Sequence, residues 1–299
     1  MRECLQELVK TTLIKKYSLP DKKHSISGIN ISNHNDSVFF CSSNNDLVKL
    51  IYNSIIDYSF NEFEISDQNY SNLLFKALQT KIRYEEWKKS SEKIKYGFFG
   101  EVILYAILCQ YLKSKPLIAR GYFYNPLENS ETKGYDSYHL ACFNEKIYLW
   151  FGEVKFRNTL SSGVKSAIEG LDKALSDDYL SKNILSMENH RNNFNLKNSK
   201  IEEILKAWSD NPNIKIIEEI KKHNLTLVYP ILLIYSDKHP NFEEKIVKAV
   251  EHINTHCIKK KYSLSIKYKL FFILLPLDEV KKVKQEVIEW IESKQPLLS

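Results

Sequence analysis

Apolar residues follow two spacings in the last half of the chain. Apolar runs over 225–235 and 270–277 predict strands over 225–235 and 263–275. In 161–176 the apolar residues fall three or four apart, which predicts a helix with one buried face. The pattern predicts further helices over 241–254 and 277–293. The last half of the chain should therefore alternate between strands and helices.

A buried helix and three strands are predicted before these elements. Residues 91–114 contain a stretch, 102–108, that is apolar on every side of a helix, so this helix should be buried rather than amphipathic. Shorter apolar runs predict strands over 117–124, 134–142 and 146–156. This order of elements predicts an α/β fold, in which helices cover both faces of a central sheet.

The first ninety residues have a mixed pattern. Turn-forming residues surround short β-type runs in 24–45, and helical spacing follows in 46–58 and 71–89. We interpret residues 1–90 as an N-terminal accessory region and residues 91–299 as the main domain. Gly and Pro are scarce, with eight of each, so a long flexible linker between the two is not expected.

Composition narrows the class of protein only slightly. The chain has 299 residues, of which 43% are apolar and 27% charged, as in ordinary globular proteins. The net charge of +6 permits nucleic-acid binding without requiring it. The lysine clusters 259–261 and 281–284 are more simply explained as solvated helix and strand faces. Five cysteines without a CxxC pair indicate a reducing compartment, and no signal peptide or membrane span is evident, so we expect a cytoplasmic protein.

One face of the strand predicted over 146–156 changes abruptly in character. Side chains alternate across a strand, so Glu153 and Lys155 follow Phe151 on an otherwise apolar face. An ion pair at a strand end that reaches water would explain the two charges on their own. Asp136, seventeen residues before Glu153, falls on the preceding predicted strand and can lie beside it. The combination of the three residues favours a functional site.

Two adjacent carboxylates repel each other, and a cation relieves that repulsion. Hard oxygen ligands select Mg²⁺ or Mn²⁺ over zinc. A third carboxylate, Glu101, interrupts the apolar stripe of the helix predicted over 91–114. It either belongs to the same site or is a first-turn glutamate that the helix dipole favours.

These residues resemble the PD-(D/E)xK nuclease superfamily over roughly 91–240. The resemblance implies a restriction-endonuclease-like core, with a mixed central sheet flanked by helices, and metal-dependent phosphodiester hydrolysis. Asp136, Glu153 and the Val154 carbonyl would bind Mg²⁺ or Mn²⁺, and Glu101 would contact the metal through water. Lys155 would orient the attacking water and stabilise charge on the phosphorane. The sequence departs from the superfamily motif at Tyr135, where a proline is usual.

At a finer level, the segments GFFGEVILY, KGYDSYHL and YLWFGEVKF are similar to the HamA family, the nuclease subunits of Hachiman antiphage defence systems. This similarity implies DNA as the target and a helicase subunit, HamB, as a partner that restrains the nuclease. A non-catalytic nucleic-acid-binding or scaffold subunit that keeps the nuclease fold is the alternative.

Other candidate residues have plainer explanations. His252 and His256, beside Cys257, have metal-ligand spacing, but a solvated helix face is favoured. His139 should lie on the strand face opposite Asp136 and be structural. Ser162 and Lys165 either face a phosphate at a helix N-terminus or reflect capping by Ser161 or Ser162, and the roles of Arg157 and Lys173 stay open. No phosphate-binding loop of the GxxxxGK[ST] type occurs, so ATP hydrolysis by this chain is not expected.

Overall fold

The computed structural model describes residues 1–18, 36–65, 69–125, 130–131, 134–143, 146–188, 190, 200–209, 214–256 and 261–298. The helices in chain order are α1 (Glu3–Thr12), α2 (Asn44–Ser59), α3 (Glu62–Ile65), α4 (Tyr70–Ala77), α5 (Ser90–Lys93), α6 (Phe98–Gln110), α7 (Leu160–Ala174), α8 (Asp177–Glu188), α9 (Lys200–Ser209), α10 (Ile216–Lys222), α11 (Phe242–His256) and α12 (Val280–Glu292). A π-helical turn spans Leu78–Ile82 and a 3₁₀ turn spans Arg120–Phe123.

The strands in chain order are β1 (Leu13–Ser18), β2 (Ser37–Cys41), β3 (Lys115–Pro116), β4 (Tyr124–Asn125), β5 (Ser130–Glu131), β6 (His139–Phe143), β7 (Lys146–Trp150), β8 (Glu153–Phe156), β9 (Thr226–Ser236) and β10 (Tyr268–Leu277). Within the described residues, eight strands form one sheet in the order β1-β2-β10-β9-β7-β6-β3, and β8 also pairs with β9. β9 runs parallel to β7, β8 and β10, whereas the β1–β2, β6–β7 and β3–β6 pairs are antiparallel. The predicted α/β fold with a mixed central sheet flanked by helices is confirmed.

The sheet is buried on both faces, as the predicted order of helices and strands implies. Alternate residues of β9 separate into two cores: Leu227, Ile231 and Leu233 lie in one, and Val228 and Leu232 in the other. Helices α7 to α11 supply the first core, and α1, α2, α4, α6 and α12 supply the second. Each core therefore lies between the sheet and one layer of helices.

The N-terminal ninety residues share this sheet and the second core. β2 pairs with β10 in parallel, and α2 packs against α6 and α12. β2 falls inside the 24–45 segment in which short strands were expected, whereas residues 19–35 lie outside the described part of the chain. Residues 1–90 thus contribute to the main fold, and an accessory function for them stays a prediction.

The single strand predicted over 146–156 is two strands, β7 and β8. Both keep the same register against β9, with Trp150 opposite Val228 and Glu153 opposite Ile231. Between these pairs Gly152 faces Pro230, which has no N–H to donate to the ladder. A Cβ at Gly152 would lie 2.6 Å from Pro230 Cγ, so only glycine fits there. The proline and glycine together interrupt the strand just before Glu153.

Two other strand predictions were wrong. The strand predicted over 134–142 begins only at His139, and Asp136 lies in the bend before it. The reason is that the Asp136 N–H donates to the Gly152 carbonyl outside the β6–β7 ladder. The strand predicted over 117–124 is instead a loop after β3, the Arg120–Phe123 turn and the first residue of β4.

Helix boundaries also differ from the predictions. The helix predicted over 91–114 is α6, preceded by the short α5 and a turn at Gly97, and the helix predicted over 71–89 ends in the π-helical turn at Ile82. Arg83 follows that turn with φ 60°, a left-handed conformation that stops helices. Helices α7, α11 and α12 and strand β9 agree with the predictions to within a few residues.

Candidate active site

Glu153 and Lys155 lie on one face of β8, as strand alternation predicts. That face is turned toward α7: a Cβ at Gly163 would lie 3.9 Å from Lys155 Cβ, and one at Gly170 would lie 3.4 Å from Glu153 Oε2. Two glycines of α7 therefore leave the space in which the two charged side chains lie. The opposite face of β8, with Val154 and Phe156, packs against Gly100 of α6.

Backbone hydrogen bonds fix Asp136 beside β8. Its N–H donates to the Gly152 carbonyl at 2.9 Å, and its Oδ2 accepts from the Val154 N–H at 2.8 Å. The N–H groups of Phe151 and Arg157 point to β9, so the intervening Val154 N–H points to the opposite edge. Asp136 thus occupies the edge of β8 that β9 leaves open.

Asp136 and Glu153 border one small cavity of about 170 Å³. Burial, and after it the nearby Glu153 carboxylate, raise the pKa of Asp136 to about 6, against the opposing effect of the Val154 hydrogen bond. Glu153 is thus close enough to disfavour the charged form of Asp136. A bound cation removes such a penalty.

Glu153 is held by partners at both oxygens. Its Oε1 pairs with the Lys155 ammonium, and its Oε2 accepts a hydrogen bond from the Tyr229 hydroxyl at 2.5 Å. Tyr229 is fully buried on β9, and its burial and the Glu153 charge raise the pKa of its phenol. Because that phenol stays protonated, it remains a hydrogen-bond donor to Glu153.

Glu101 lies in the first turn of α6, apart from the other two carboxylates. The Tyr58 hydroxyl donates to its Oε2, and Arg120 Nε lies 3.9 Å from the same oxygen. Across the described residues, no group of three or more His, Cys, Asp or Glu is placed to hold a metal ion. The structure therefore brings Asp136, Glu153 and Lys155 together but does not add Glu101 to their cluster.

Arg120 lies near both Glu101 and Asp136. It is buried, it approaches Glu101, and its charge lowers the pKa of Asp136 against the larger effect of burial. Sequence reasoning missed Arg120, Tyr229 and Tyr58. Arg120 fell in a segment predicted to be a strand, and the two tyrosines belong to apolar runs in which they resemble ordinary core residues.

The remaining candidates are explained by local structure. His139 is buried, its Nδ1 lies 3.2 Å from Ser114 Oγ, and burial lowers its pKa to about 3, which fits a neutral structural residue. Capping of α7 by Ser161 or Ser162 was a wrong prediction. The cap is Thr159, whose Oγ1 accepts from the Ser162 N–H at 3.3 Å, because Thr159 holds the extended conformation that precedes the helix.

The structure also shows where the remaining lysine and histidine candidates lie. Lys165 is exposed and pairs with Glu169 at 3.9 Å, whereas Lys173 borders the carboxylate cavity. The rings of His252 and His256 on α11 are tilted by 38° with centroids 4.1 Å apart, and Cys257 lies outside the described residues.

A comparison with protein-family models decides the family. The model for HamA matches residues 7–291. The chain belongs to the HamA family. Family membership makes this a Hachiman defence-related protein, and the match includes the N-terminal region as well as β8. No curated protein matches the chain. Over the stretches for which the structure gives coordinates, no helix of this HamA-family chain is both long and apolar enough to cross a bilayer.

Proposed function

We propose that the chain is a divalent-metal-dependent nuclease that hydrolyses phosphodiester bonds of DNA during antiphage defence. The observation that carries the proposal is the placement of Asp136 and Glu153 at one cavity, with Lys155 paired to Glu153. This arrangement concentrates two anionic oxygen ligands and one cation at the open edge of a strand. Family membership is the independent support.

The residues at this edge fit Mg²⁺ or Mn²⁺. Carboxylate and carbonyl oxygens are the ligands that these hard cations prefer. The N–H and C=O of one strand residue point to the same edge, so the Val154 carbonyl faces the side on which its N–H meets Asp136. Asp136, Glu153 and the Val154 carbonyl would therefore hold the metal, and Glu101 would contribute through water.

Each residue has a separate task in the proposed reaction. A bound divalent cation would neutralise charge on the phosphate and lower the pKa of a coordinated water. Lys155 would place a second positive charge where negative charge develops and would orient the water. Tyr229 on β9 would hold Glu153 in position through the hydrogen bond that its hydroxyl donates to Oε2. The backbone bonds to Asp136 would keep its carboxylate beside Val154.

The test compares plasmid and linear DNA incubated with Mg²⁺ or with EDTA. Degradation should require Mg²⁺ and should be lost in Glu153→Ala and in Lys155→Ala. The matched controls are Lys165→Ala and Glu169→Ala, which break an exposed ion pair on α7 and should leave cleavage unchanged. Thermal melting of each variant verifies that the fold is retained. Full activity in both site variants would refute the proposal.

A non-catalytic DNA-binding or scaffold subunit is the second candidate. It is favoured by the fact that, among the described residues, no third carboxylate completes the metal cluster. This candidate predicts salt-sensitive DNA binding without Mg²⁺-dependent turnover.

We also propose that a HamB-like helicase subunit binds the chain and restrains the nuclease. This part of the proposal rests on family membership alone. Co-expression of both subunits, followed by purification through a tag on one of them, tests it. A nuclease that elutes alone and cuts equally fast with and without the helicase would count against this partner.

A further inference from the structure

A groove of about 470 Å³ runs along the open edge of β8, between the approach to α6 and the first turns of α12. Its charged lining consists of cations without any Asp or Glu, and we call it the basic groove: Lys95, Lys155, Arg157, Lys281 and Lys284. These residues come from three separate parts of the chain. The fold therefore gathers five positive charges that the sequence scatters over almost two hundred positions.

Lys284 shows that this gathering is not an ordinary solvated surface. Its side chain is half-buried, Nζ donates to the Phe156 carbonyl at 3.2 Å, and Nζ lies 4.5 Å from the Phe156 ring centroid. Burial, and after it the Arg157 charge, lower the pKa of Lys284 to about 8. An ammonium that is taken out of water and faces other cations is unfavourable until an anion joins it.

Neighbouring lysines outside the basic groove have acidic partners. Lys282, next to Lys281, lies 3.9 Å from Glu286, and Lys245 lies 3.3 Å from Asp278. Within the described residues, no carboxylate pairs with Lys95, Arg157, Lys281 or Lys284. The lack of acidic partners is thus specific to the cations of the basic groove and is not shared by the lysines that surround it.

The basic groove adjoins the candidate active site through Lys155. That side chain lines the groove, and its ammonium pairs with Glu153, which borders the carboxylate cavity. Each strand of DNA carries one phosphate per nucleotide, so a strand that enters the cavity must place its next phosphates beyond it. The basic groove is the neighbouring space, and its positive charges can bind those phosphates.

We propose that the basic groove binds backbone phosphates of the DNA strand that flanks the bond to be cut. The location of the scissile bond rests on the proposed nuclease function, but phosphate binding by the groove does not. Arg157 and Lys281 are exposed at its rim and would contact phosphates directly. Lys284 lies deeper and would act as a fixed charge beneath them. Binding of this kind carries little sequence information.

The test measures binding of labelled DNA in EDTA, so that cleavage cannot interfere, over a range of salt concentrations. The double variant Arg157→Gln/Lys281→Gln should bind more weakly, and the slope of log affinity against log salt should fall by about 1 per lost phosphate contact. The control Lys221→Gln/Lys248→Gln removes the same charge from exposed positions on α10 and α11 and should keep the wild-type slope.

Two further measurements define the other outcomes. Lys284→Met keeps an unbranched side chain against Phe156 and should weaken DNA binding without lowering the melting temperature.

A titration with inorganic phosphate at constant ionic strength distinguishes binding of a free anion from binding of a DNA strand. If phosphate stabilises the wild type and not the groove variant, while both double variants keep the wild-type DNA slope, the groove holds a free anion and the proposal fails. Equal loss of affinity in both double variants, or no DNA binding by the wild type, also overturns it. Normal DNA binding in EDTA together with no cleavage in Mg²⁺ would refute the proposed nuclease function and leave the assignment of the basic groove intact.

Discussion

The Asp136 carboxylate accepts a hydrogen bond from the Val154 N–H at 2.8 Å, on the edge of β8 that β9 leaves open. This one contact joins two segments that the hairpin of β6 and β7 separates in sequence. It also gives one oxygen of Asp136 a structural role, whereas the charge of the carboxylate serves the proposed metal. The two roles can be separated by substitution.

Asp136→Asn should keep the fold and lose the metal. An amide oxygen still accepts from the Val154 N–H, and the penalty for burying a charge disappears, so the melting temperature without metal should be unchanged or higher. Mg²⁺ should raise the melting temperature of the wild type, because ligands that bind the folded state stabilise it, but not that of Asp136→Asn. Asp136→Ala is the control that also loses the Val154 bond and should melt lower. A Mg²⁺ shift of wild-type size in Asp136→Asn would show that the metal binds elsewhere.

Two tyrosines of β9 provide a matched pair for the support of Glu153. Tyr229→Phe removes the donor to Glu153 Oε2, and loss of such a supporting hydrogen bond typically reduces metal affinity or activity about 10–100-fold. We expect cleavage by Tyr229→Phe to need a higher Mg²⁺ concentration, which titration of the cleavage rate with Mg²⁺ measures.

The control for this prediction is Tyr235→Phe. The Tyr235 hydroxyl is also buried on β9, but among the described residues no group forms a hydrogen bond with it. Its removal should leave the Mg²⁺ dependence unchanged. If both variants shifted the Mg²⁺ dependence equally, a general effect on β9 would replace the proposed positioning role of Tyr229.

Helix glycines on the two sides of β8 should respond in opposite directions to alanine. A Cβ at Gly100 would lie 2.8 Å from Val154 Cγ2 and 3.3 Å from Val154 Cγ1, and the branched Val154 side chain is restricted at χ1. Gly100→Ala should therefore destabilise the protein by about 1–3 kcal/mol. At Gly163 the nearest atom would be 3.8 Å away, so Gly163→Ala should gain up to about 1 kcal/mol of helix propensity. Urea unfolding measures both, and equal effects would contradict the packing described for β8.

The sequence predicts much of the fold because the apolar periodicity is strong in the second half of the chain. The apolar run of β9 predicts a strand there, and α7, α11 and α12 follow from their spacing. The early strands β1 and β2 are short. They pair with each other, and β2 joins them to the sheet through β10, far along the chain. Their membership of the sheet depends on contacts that periodicity does not contain.

The candidate site was predictable in its residue types but not in its geometry. Strand alternation places Glu153 and Lys155 on one face, and the structure agrees. The position of Asp136 depends on two backbone contacts with β8, to the Gly152 carbonyl and from the Val154 N–H, on the edge that faces away from β9. No local pattern around Asp136 reveals these contacts, because they reach across the hairpin of β6 and β7.

Asp36 should make stability depend on pH at a place remote from the proposed chemistry. It is buried beside β10, where its Oδ1 accepts from the Phe272 N–H at 2.6 Å, and in the described structure no group bonds its Oδ2. Burial raises its pKa to about 7, against the opposing effect of the Phe272 bond. The folded state therefore holds a proton that the unfolded chain has already lost above its ordinary pKa of about 4.

The sign follows from this difference in bound protons. Stability contributed by protonated Asp36 is complete below about pH 4 and is lost as pH rises through about 7, with a slope of at most about 1.4 kcal/mol per pH unit. Asp36→Asn retains an oxygen acceptor for the Phe272 N–H and cannot ionise. Its stability relative to the wild type should increase from pH 5 to pH 7 and level off above pH 8. Urea unfolding at each pH measures the difference, and a difference that stays constant across this range would contradict the raised pKa of Asp36 in the folded state.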